Sequence, residues 1–268
     1  MKKVLTIAGS DSSGGAGIQA DIKTFSAHGV FGMSVITAVT AQNTQGVFAV
    51  QDITKEVIQK QIQAIFEDIE VDAVKIGMVS QIDSIKIIAE ELSKYHAEKI
   101  VLDPVMISKS GYNLLQPEAK LALIEKLLPI ATVITPNIHE AQAITNIEIK
   151  NVDDMEKVAR LLYDMGPQNV LVKGGHLESD AVDVLFDGKE IKYFRSKRIN
   201  TPNTHGTGCT LSSAIASNLA LGFAMAESVK RAKNFITMAI EHSLSIGKGV
   251  GPTNHFYQLY KKAGVLGE

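Results

Sequence analysis

Val4-Leu5-Thr6-Ile7-Ala8-Gly9-Ser10-Asp11-Ser12-Ser13-Gly14-Gly15-Ala16-Gly17 stands near the start of the chain, and its reading decides the fold. Residues 4–8 form a short β-branched run of the kind that is buried on both faces of a sheet. The polar, glycine-rich residues after it lie between this strand and a helix, at the end of the strand where open α/β sheets bind their ligands. Similar short runs recur at 35–41, 73–76, 100–102, 132–134 and 170–172, with longer amphipathic stretches between them. Within 54–69, Val57, Ile58, Ile62, Ile65 and Phe66 share one helical stripe, and 82–92 and 152–162 show similar spacing. Doubly buried strands alternating with helices predict an α/β fold with a parallel sheet covered on both sides. Beyond Lys173 the pattern changes: 181–186 and 191–195 flank Asp187-Gly188, a hairpin signal, so the sheet is expected to end in antiparallel strands. Residues 226–246 carry Val229, Ala232, Phe235, Ile236, Ala239 and Ile240 on one face and predict a long terminal helix. With no internal repeat, linker or low-complexity tract, residues 1–268 are expected to form a single domain.

Bulk properties narrow the partners. The 27 basic and 29 acidic residues give a formal charge of -2 without long blocks of one sign, so neither nucleic acid nor a membrane surface is implied. No apolar run approaches the roughly 20 residues of a membrane helix. One cysteine forms no internal disulfide, and the chain opens on a basic pair and a strand without a signal peptide's features, so a cytoplasmic protein is expected.

Gly15-Ala16-Gly17-Ile18-Gln19-Ala20 matches the dinucleotide fingerprint GxGxxA, but its context does not. The fingerprint's first glycine should directly follow strand one and its second strand should end in Asp or Glu; Gly15 comes well after Ala8, and the second strand ends in Ala41-Gln42-Asn43. The Walker pattern is absent. A dinucleotide-dependent (NAD) oxidoreductase remains a distant alternative, discriminated by NAD titration.

Other predicted strand ends also carry polar or special residues. Gln42 and Asn43 follow the second, Gly77 and Met78 the third, Asp103-Pro104-Val105-Met106 the fourth, and Asn137 with Glu140 the fifth. Each alone is an ordinary cap or turn, but together they converge on one rim. Met78, Val105 and Met106 could form an apolar slot for a flat ring, with Gln42 and Asp21 pairing to its polar edge. Asp21 is expected in the first turn of the next helix, directed at that crevice, or else as a simple helix-dipole partner.

Asn203-Thr204-His205-Gly206-Thr207-Gly208-Cys209 precedes a predicted helix over 210–221. Two glycines let consecutive amides turn toward one point at a helix N-terminus, which is an anion site; the bland alternative is a capping turn. The seven histidines show no metal-binding spacing, and His205 and His176 fall in the candidate site loops. Cys209 reads either as a small buried hydrophobe or as a thiol with a lowered pKa at the helix N-terminus.

Taken together, Ala8 to Gly17, Asp103-Pro104-Val105-Met106, Thr135-Pro136-Asn137 with Glu140, Lys173-Gly174-Gly175-His176, the Asn203 to Cys209 run and Gly251-Pro252 resemble the hydroxymethylpyrimidine and phosphomethylpyrimidine kinases of thiamine biosynthesis. The resemblance runs from residue 3 to about 257. It implies the ribokinase-like fold, a three-layer α/β/α sandwich around a mostly parallel sheet with antiparallel edge strands. It also implies ATP- and Mg-dependent phosphorylation of 4-amino-5-hydroxymethyl-2-methylpyrimidine, then of its monophosphate, in a homodimer.

Carried over by position, Gly9, Asp21, Gln42, Met78 and Val105 surround the pyrimidine. Gly206, Thr207 and Gly208 form the anion hole, and Lys173 is a phosphate contact. Asn137 and Glu140 organise magnesium and phosphate, with Glu140 and Asp103 as candidate magnesium ligands. Sugar kinases of the wider superfamily end the glycine-rich run in Asp, whereas this chain has Cys209, which makes the thiol the candidate base. Phosphorylation of pyridoxal is the competing activity, with Gln42 favouring the aminopyrimidine because an amide both donates and accepts. A non-catalytic metabolite sensor is a further reading, disfavoured by the phosphate-binding set. Residues 106–115 are the candidate lid.

Overall fold

The computed structural model describes residues 1–106, 118–175 and 181–265. Its frame is a nine-stranded sheet in the order β3-β2-β1-β4-β5-β6-β7-β8-β9. The strands are β1 (Lys3–Asp11), β2 (Phe31–Asn43), β3 (Gly46–Asp52), β4 (Ala73–Ile76), β5 (Ile100–Leu102), β6 (Val133–Ile134), β7 (Val170–Val172), β8 (Ala181–Phe186) and β9 (Ile191–Ser196). β2, β1, β4, β5, β6 and β7 are mutually parallel. β3 pairs antiparallel with β2, and β7, β8 and β9 pair antiparallel in turn. The Asp187-Gly188 hairpin forms as expected, with Gly188 at φ 86° and the Asp187 carboxylate accepting from the amides of Lys189 and Glu190 at 3.0 and 2.8 Å.

Alternation along the strands builds two cores. Leu5, Ile7, Val74 and Ile76 face the layer formed by α2 (Lys55–Phe66), α3 (Ile82–Lys94), α4 (Ala119–Ala122), α5 (Ile138–Thr145) and α6 (Val152–Tyr163). Val4, Ala73, Val101 and Leu171 face α7 (Thr207–Ala220) and α8 (Met225–Glu241), with Phe25 of α1 (Gly17–Ala27) in the same cluster. The three-layer expectation therefore holds.

Besides the longer β1 and β2, three differences from the sequence reading have a visible cause. β3 is an edge strand whose Phe48 and Ala49 are exposed, so it lacks the buried apolar run that marks the others. α8 stops at Glu241 rather than 246, because Leu244 turns away to donate its amide to the Pro252 carbonyl at 2.9 Å. α7 begins at Thr207, so Gly208 and Cys209 belong to its first turn instead of preceding it.

The chain runs from β1 to β2 on one side and returns to β4 on the other, which makes the β1/β4 boundary the topological switch point. Open α/β sheets have their ligand crevice beyond the strand ends at such a point.

Candidate active site at the sheet switch point

The glycine-rich loop after β1 is held by a side chain within it. Asp11 Oδ1 accepts from the Ser13 amide and hydroxyl at 2.8 and 2.7 Å, and Oδ2 accepts from the amides of Gly15 and Ala16 at 3.0 and 2.8 Å. His205 Nε2 donates to the same Oδ2 at 2.8 Å. Burial pushes the Asp11 pKa up, but the bonds from His205 and Ser13 overcome it and hold the carboxyl at about 2. The amides of Gly15 and Ala16 are therefore spent on an internal carboxylate, which removes the structural basis of a dinucleotide turn. Gly206 crosses this loop so closely that a Cβ on it would run into the Gly15 carbonyl oxygen.

Gly206 is the N-cap of α7, with φ 77° and no side-chain cap. An α-helix leaves its first amides without intrahelical partners. Gly206, Thr207, Gly208 and Cys209 line a cavity of about 870 Å³, and the helix dipole favours an anion there. Opposite stands Asp103, just past β5, paired with Lys173 at 2.8 Å. A Cβ on Gly208 would lie 3.3 Å from Asp103 Oδ2 and 3.5 Å from Lys173 Nζ, so the glycine keeps this gap open. Burial alone would raise the Asp103 pKa, but Lys173 and Lys75 hold the carboxyl below its ordinary range. Burial likewise works against the Lys173 ammonium, and Asp103 and Glu140 more than offset it.

Asn137 and Glu140 form a reciprocal capping box at the start of α5. Asn137 Oδ1 accepts from the Glu140 amide at 2.9 Å, and Glu140 Oε2 accepts from the Asn137 amide at 2.7 Å. Burial raises the Glu140 pKa to about 7; Lys173 opposes the shift and the nearby Asp103 carboxylate adds to it.

Gly9, Gln42, Met78 and Val105 line the same cavity, as do Asp103, Asn137, Glu140, Lys173 and residues 206–209. Met78 packs on Gly9, with its sulfur 3.2 Å from where a Cβ would stand. Leu211, Ile236, Thr237 and Ile240 also line it, together with residues 196–201.

Two expectations are corrected. Asp21 is not in the first turn of α1 and does not line the cavity; it is wholly buried beneath it. Its carboxylate accepts from Thr6 Oγ1 at 2.6 Å, Ser213 Oγ at 2.7 Å and Lys75 Nζ at 2.8 and 3.0 Å, because the register of α1 on the sheet aims it at β1 and β4. Cys209 does not have a depressed pKa. It is half-buried, and burial pushes its thiol up to about 11 although Lys75 and a hydrogen bond from the Gly17 backbone amide pull the other way. His176 and all of the candidate lid after Met106 lie outside the described residues.

Lys75, which lines the cavity, was not singled out in the sequence, although a lysine inside the apolar run Ala73-Val74-Lys75-Ile76 was itself a signal. Asp183 and Lys233, ion-paired at 2.6 Å beside the cavity, were also missed; they lie on a strand and a helix far apart in sequence.

A phosphomethylpyrimidine kinase family model matches residues 11–254. The chain is 51% identical over 261 residues to the hydroxymethylpyrimidine/phosphomethylpyrimidine kinase of Rhizobium meliloti, covering 96% of this chain and 98% of that protein. It superposes on the crystal structure of a phosphomethylpyrimidine kinase from Clostridium difficile 630 with a TM-score of 0.81 and 57% identity, over 90% of this chain and 100% of that one. An ADP complex of Bacillus subtilis pyridoxal kinase gives a TM-score of 0.89 at 43% identity, over 97% and 99% of the two chains. With a match spanning most of its length and relatives this similar throughout, the chain belongs to the phosphomethylpyrimidine kinase family.

Proposed function

We propose that this cavity transfers the γ-phosphoryl group of ATP to the hydroxymethyl group of 4-amino-5-hydroxymethyl-2-methylpyrimidine, and then to its monophosphate. The observation that carries the reading is a single cavity joining a ring-sized end, at Gly9, Gln42, Met78 and Val105, to an anion-binding end at Gly206, Thr207, Gly208 and Lys173.

The hydroxymethyl oxygen forms a bond to the γ-phosphorus as the bond to the bridging oxygen breaks; ADP leaves, and the hydroxyl proton passes to an oxygen of the transferred phosphoryl group. Such a transition state is loose, so the protein's work is placement and charge compensation. The first amides of α7 and the Lys173 ammonium face the transferred group. Asn137 orients Glu140 through the capping box. Asp103 holds Lys173 in place. Cys209, a thiol at neutral pH, places the hydroxymethyl group and is not a resting base.

The donor set fits magnesium. Asp103 and Glu140 are hard oxygen donors near each other, and the raised Glu140 pKa marks a buried carboxylate that a dication would relieve. Bound between these residues and the ATP phosphates, magnesium would neutralise phosphate charge. Among the described residues no three acidic, histidine or cysteine side chains form a metal-binding group, consistent with an ion that keeps waters and phosphates as ligands.

Pyridoxal phosphorylation is the second reading, supported by the likeness to the Bacillus subtilis pyridoxal kinase. ATP consumption measured side by side with the hydroxymethylpyrimidine, its monophosphate and pyridoxal tests both. Turnover of the monophosphate supports the thiamine-pathway activity; turnover of pyridoxal alone refutes it. Among the described residues no helix is long and apolar enough to cross a membrane.

A further inference from the structure

His205 is almost fully buried at the junction of the glycine-rich loop, the α7 turn and the Gly251-Pro252 segment, yet the phosphoryl-transfer chemistry gives it no task. Its amide bonds the Gly251 carbonyl at 3.0 Å, which fixes the backbone. Its ring packs so tightly on Gly15 that a Cβ there would meet the Cδ2 atom. The ring also lies against the Gln42 side chain, one end of whose amide is 3.3 Å from His205 Nε2.

Donor and acceptor counting settles which end. Asp11 is an ionised carboxylate and only accepts, so His205 Nε2 carries a proton and donates to it at 2.8 Å. A nitrogen in that state has no lone pair for an amide N–H. The two ends of a glutamine amide are told apart by their partners. Gln42 therefore turns its oxygen to His205 and its NH2 to the Thr40 hydroxyl, 3.3 Å from the amide's other end. Thr40 can receive that N–H because its own proton goes to the Ser10 carbonyl at 2.8 Å. The Gln42 backbone is pinned as well, since its amide donates to Ser12 Oγ at 2.8 Å and its carbonyl accepts from the same hydroxyl at 2.6 Å. Only the side-chain amide's direction is left to be set, and the chain from Asp11 through His205 and Gln42 to Thr40 and Ser10 sets it.

We propose that His205, anchored by Asp11, is a positioning residue for ring selectivity: it fixes which way the Gln42 amide presents its donor and its acceptor to the substrate. The inference rests on the reading that the ring meets Gln42. An aminopyrimidine edge offers an amino donor beside a ring-nitrogen acceptor in fixed order, and an amide reversed by 180° meets it with like groups. Pyridoxal lacks that pair, so reversal costs it less. The loss of one such hydrogen bond corresponds to about a tenfold change in affinity.

The test measures dissociation constants of the hydroxymethylpyrimidine, pyridoxal and ATP by calorimetry on the parent protein, His205→Ala, Thr40→Val, Gln42→Ala and the His205→Ala/Gln42→Ala pair. Thr40→Val keeps the shape of a buried strand residue and decides the matter where His205→Ala fails to fold. His205→Ala and Thr40→Val should each reduce the preference for the pyrimidine over pyridoxal by about tenfold, with ATP affinity unchanged. Adding His205→Ala to Gln42→Ala should change the preference no further. A structural role alone would weaken both rings equally and leave their ratio intact, which would overturn the proposal. So would a His205→Ala effect of full size in the Gln42→Ala background. A Gln42→Ala protein with the parent's preference would overturn the placement of the ring against Gln42, and this inference with it.

Discussion

Replacing Lys75 by methionine removes the ammonium that Asp21 holds at 2.8 Å, in a pair whose side chains are both 0% exposed. Asp21 would then remain a buried carboxylate with only the Thr6 and Ser213 hydroxyls as donors. Removing one partner of such a pair costs about 3–5 kcal/mol, most of it the penalty of the uncompensated charge. At about 2–4 °C per kcal/mol for a chain of this size class, Tm falls by about 6–20 °C. Asp21→Asn strands the ammonium instead and is expected to cost a similar amount. The Asp21→Asn/Lys75→Met double variant leaves no charge at this pair and should regain part of the loss, because Asn can still accept from Thr6 and Ser213. Calorimetric unfolding of the three variants, with the KM for the pyrimidine measured alongside, separates support from substrate contact. A drop in Tm with additive single effects would deny the pairing. Asp21→Asn with an unchanged Tm and a raised pyrimidine KM would refute the reasoning and return Asp21 to the ring.

Glu140 gives a pH dependence with a defined sign. Its folded pKa is about 7, while an unfolded glutamate titrates near about 4.3. Across that window the folded chain binds more protons than the unfolded one, so stability falls as pH rises, by on the order of 3 kcal/mol, and levels off above the folded pKa. Glu140→Gln should flatten the Tm profile between pH 5 and 8 in metal-free buffer, whereas parallel profiles would contradict the assignment. Gly206→Ala puts a Cβ at φ 77° against the Gly15 carbonyl, and the left-handed conformation alone costs about 1–2 kcal/mol. Its kcat should drop at least tenfold in the ATP assay, and a value within twofold of the parent would show that the turn tolerates the shift. For Cys209, with a thiol at about 11, alkylation by iodoacetamide should keep accelerating from pH 7 to 10 without a plateau. Saturation by pH 8 would restore a resting thiolate and with it the base role.

The sheet could be read from sequence where burial is total. β1, β4, β5 and β7 carry apolar residues facing both cores, so composition alone marks them. β3 escaped because an edge strand with Phe48 and Ala49 in solvent lacks that signature. The helix expected over 226–246 ends early because the apolar face that marked it stops at Ile240 and Leu244 has already turned back to bond the Pro252 carbonyl. The candidate site was legible to the extent that it sits on strand ends, since a parallel sheet brings those ends to one rim whatever the helices do. Side-chain direction was not. Asp21 differs from a crevice residue only by the rotation of α1 on the sheet, which no local pattern encodes. Lys75 was in principle recoverable: Val74 and Ile76 face one core, so Ala73 and Lys75 must face the other, and a buried lysine there demands an acid from the opposing helix.

The glycine-rich loop carries the same logic one step further. Its composition suits a phosphate cradle, and glycine content cannot distinguish a loop whose amides await a ligand from one whose amides are already bonded. The residue that decides is Asp11, an internal anion placed four and five positions before the amides it captures. Two anions do not share one set of donors, so a loop built this way cannot also cradle phosphate on those amides. On the proposed function, the phosphate is then expected at the other glycine turn. There the N-cap is Gly206, no acidic residue stands in the first turn of α7, and residues 206–209 line the cavity. In the proposed function the two glycine runs thus divide the work, one closing on its own carboxylate beside the ring end and the other serving the transferred group.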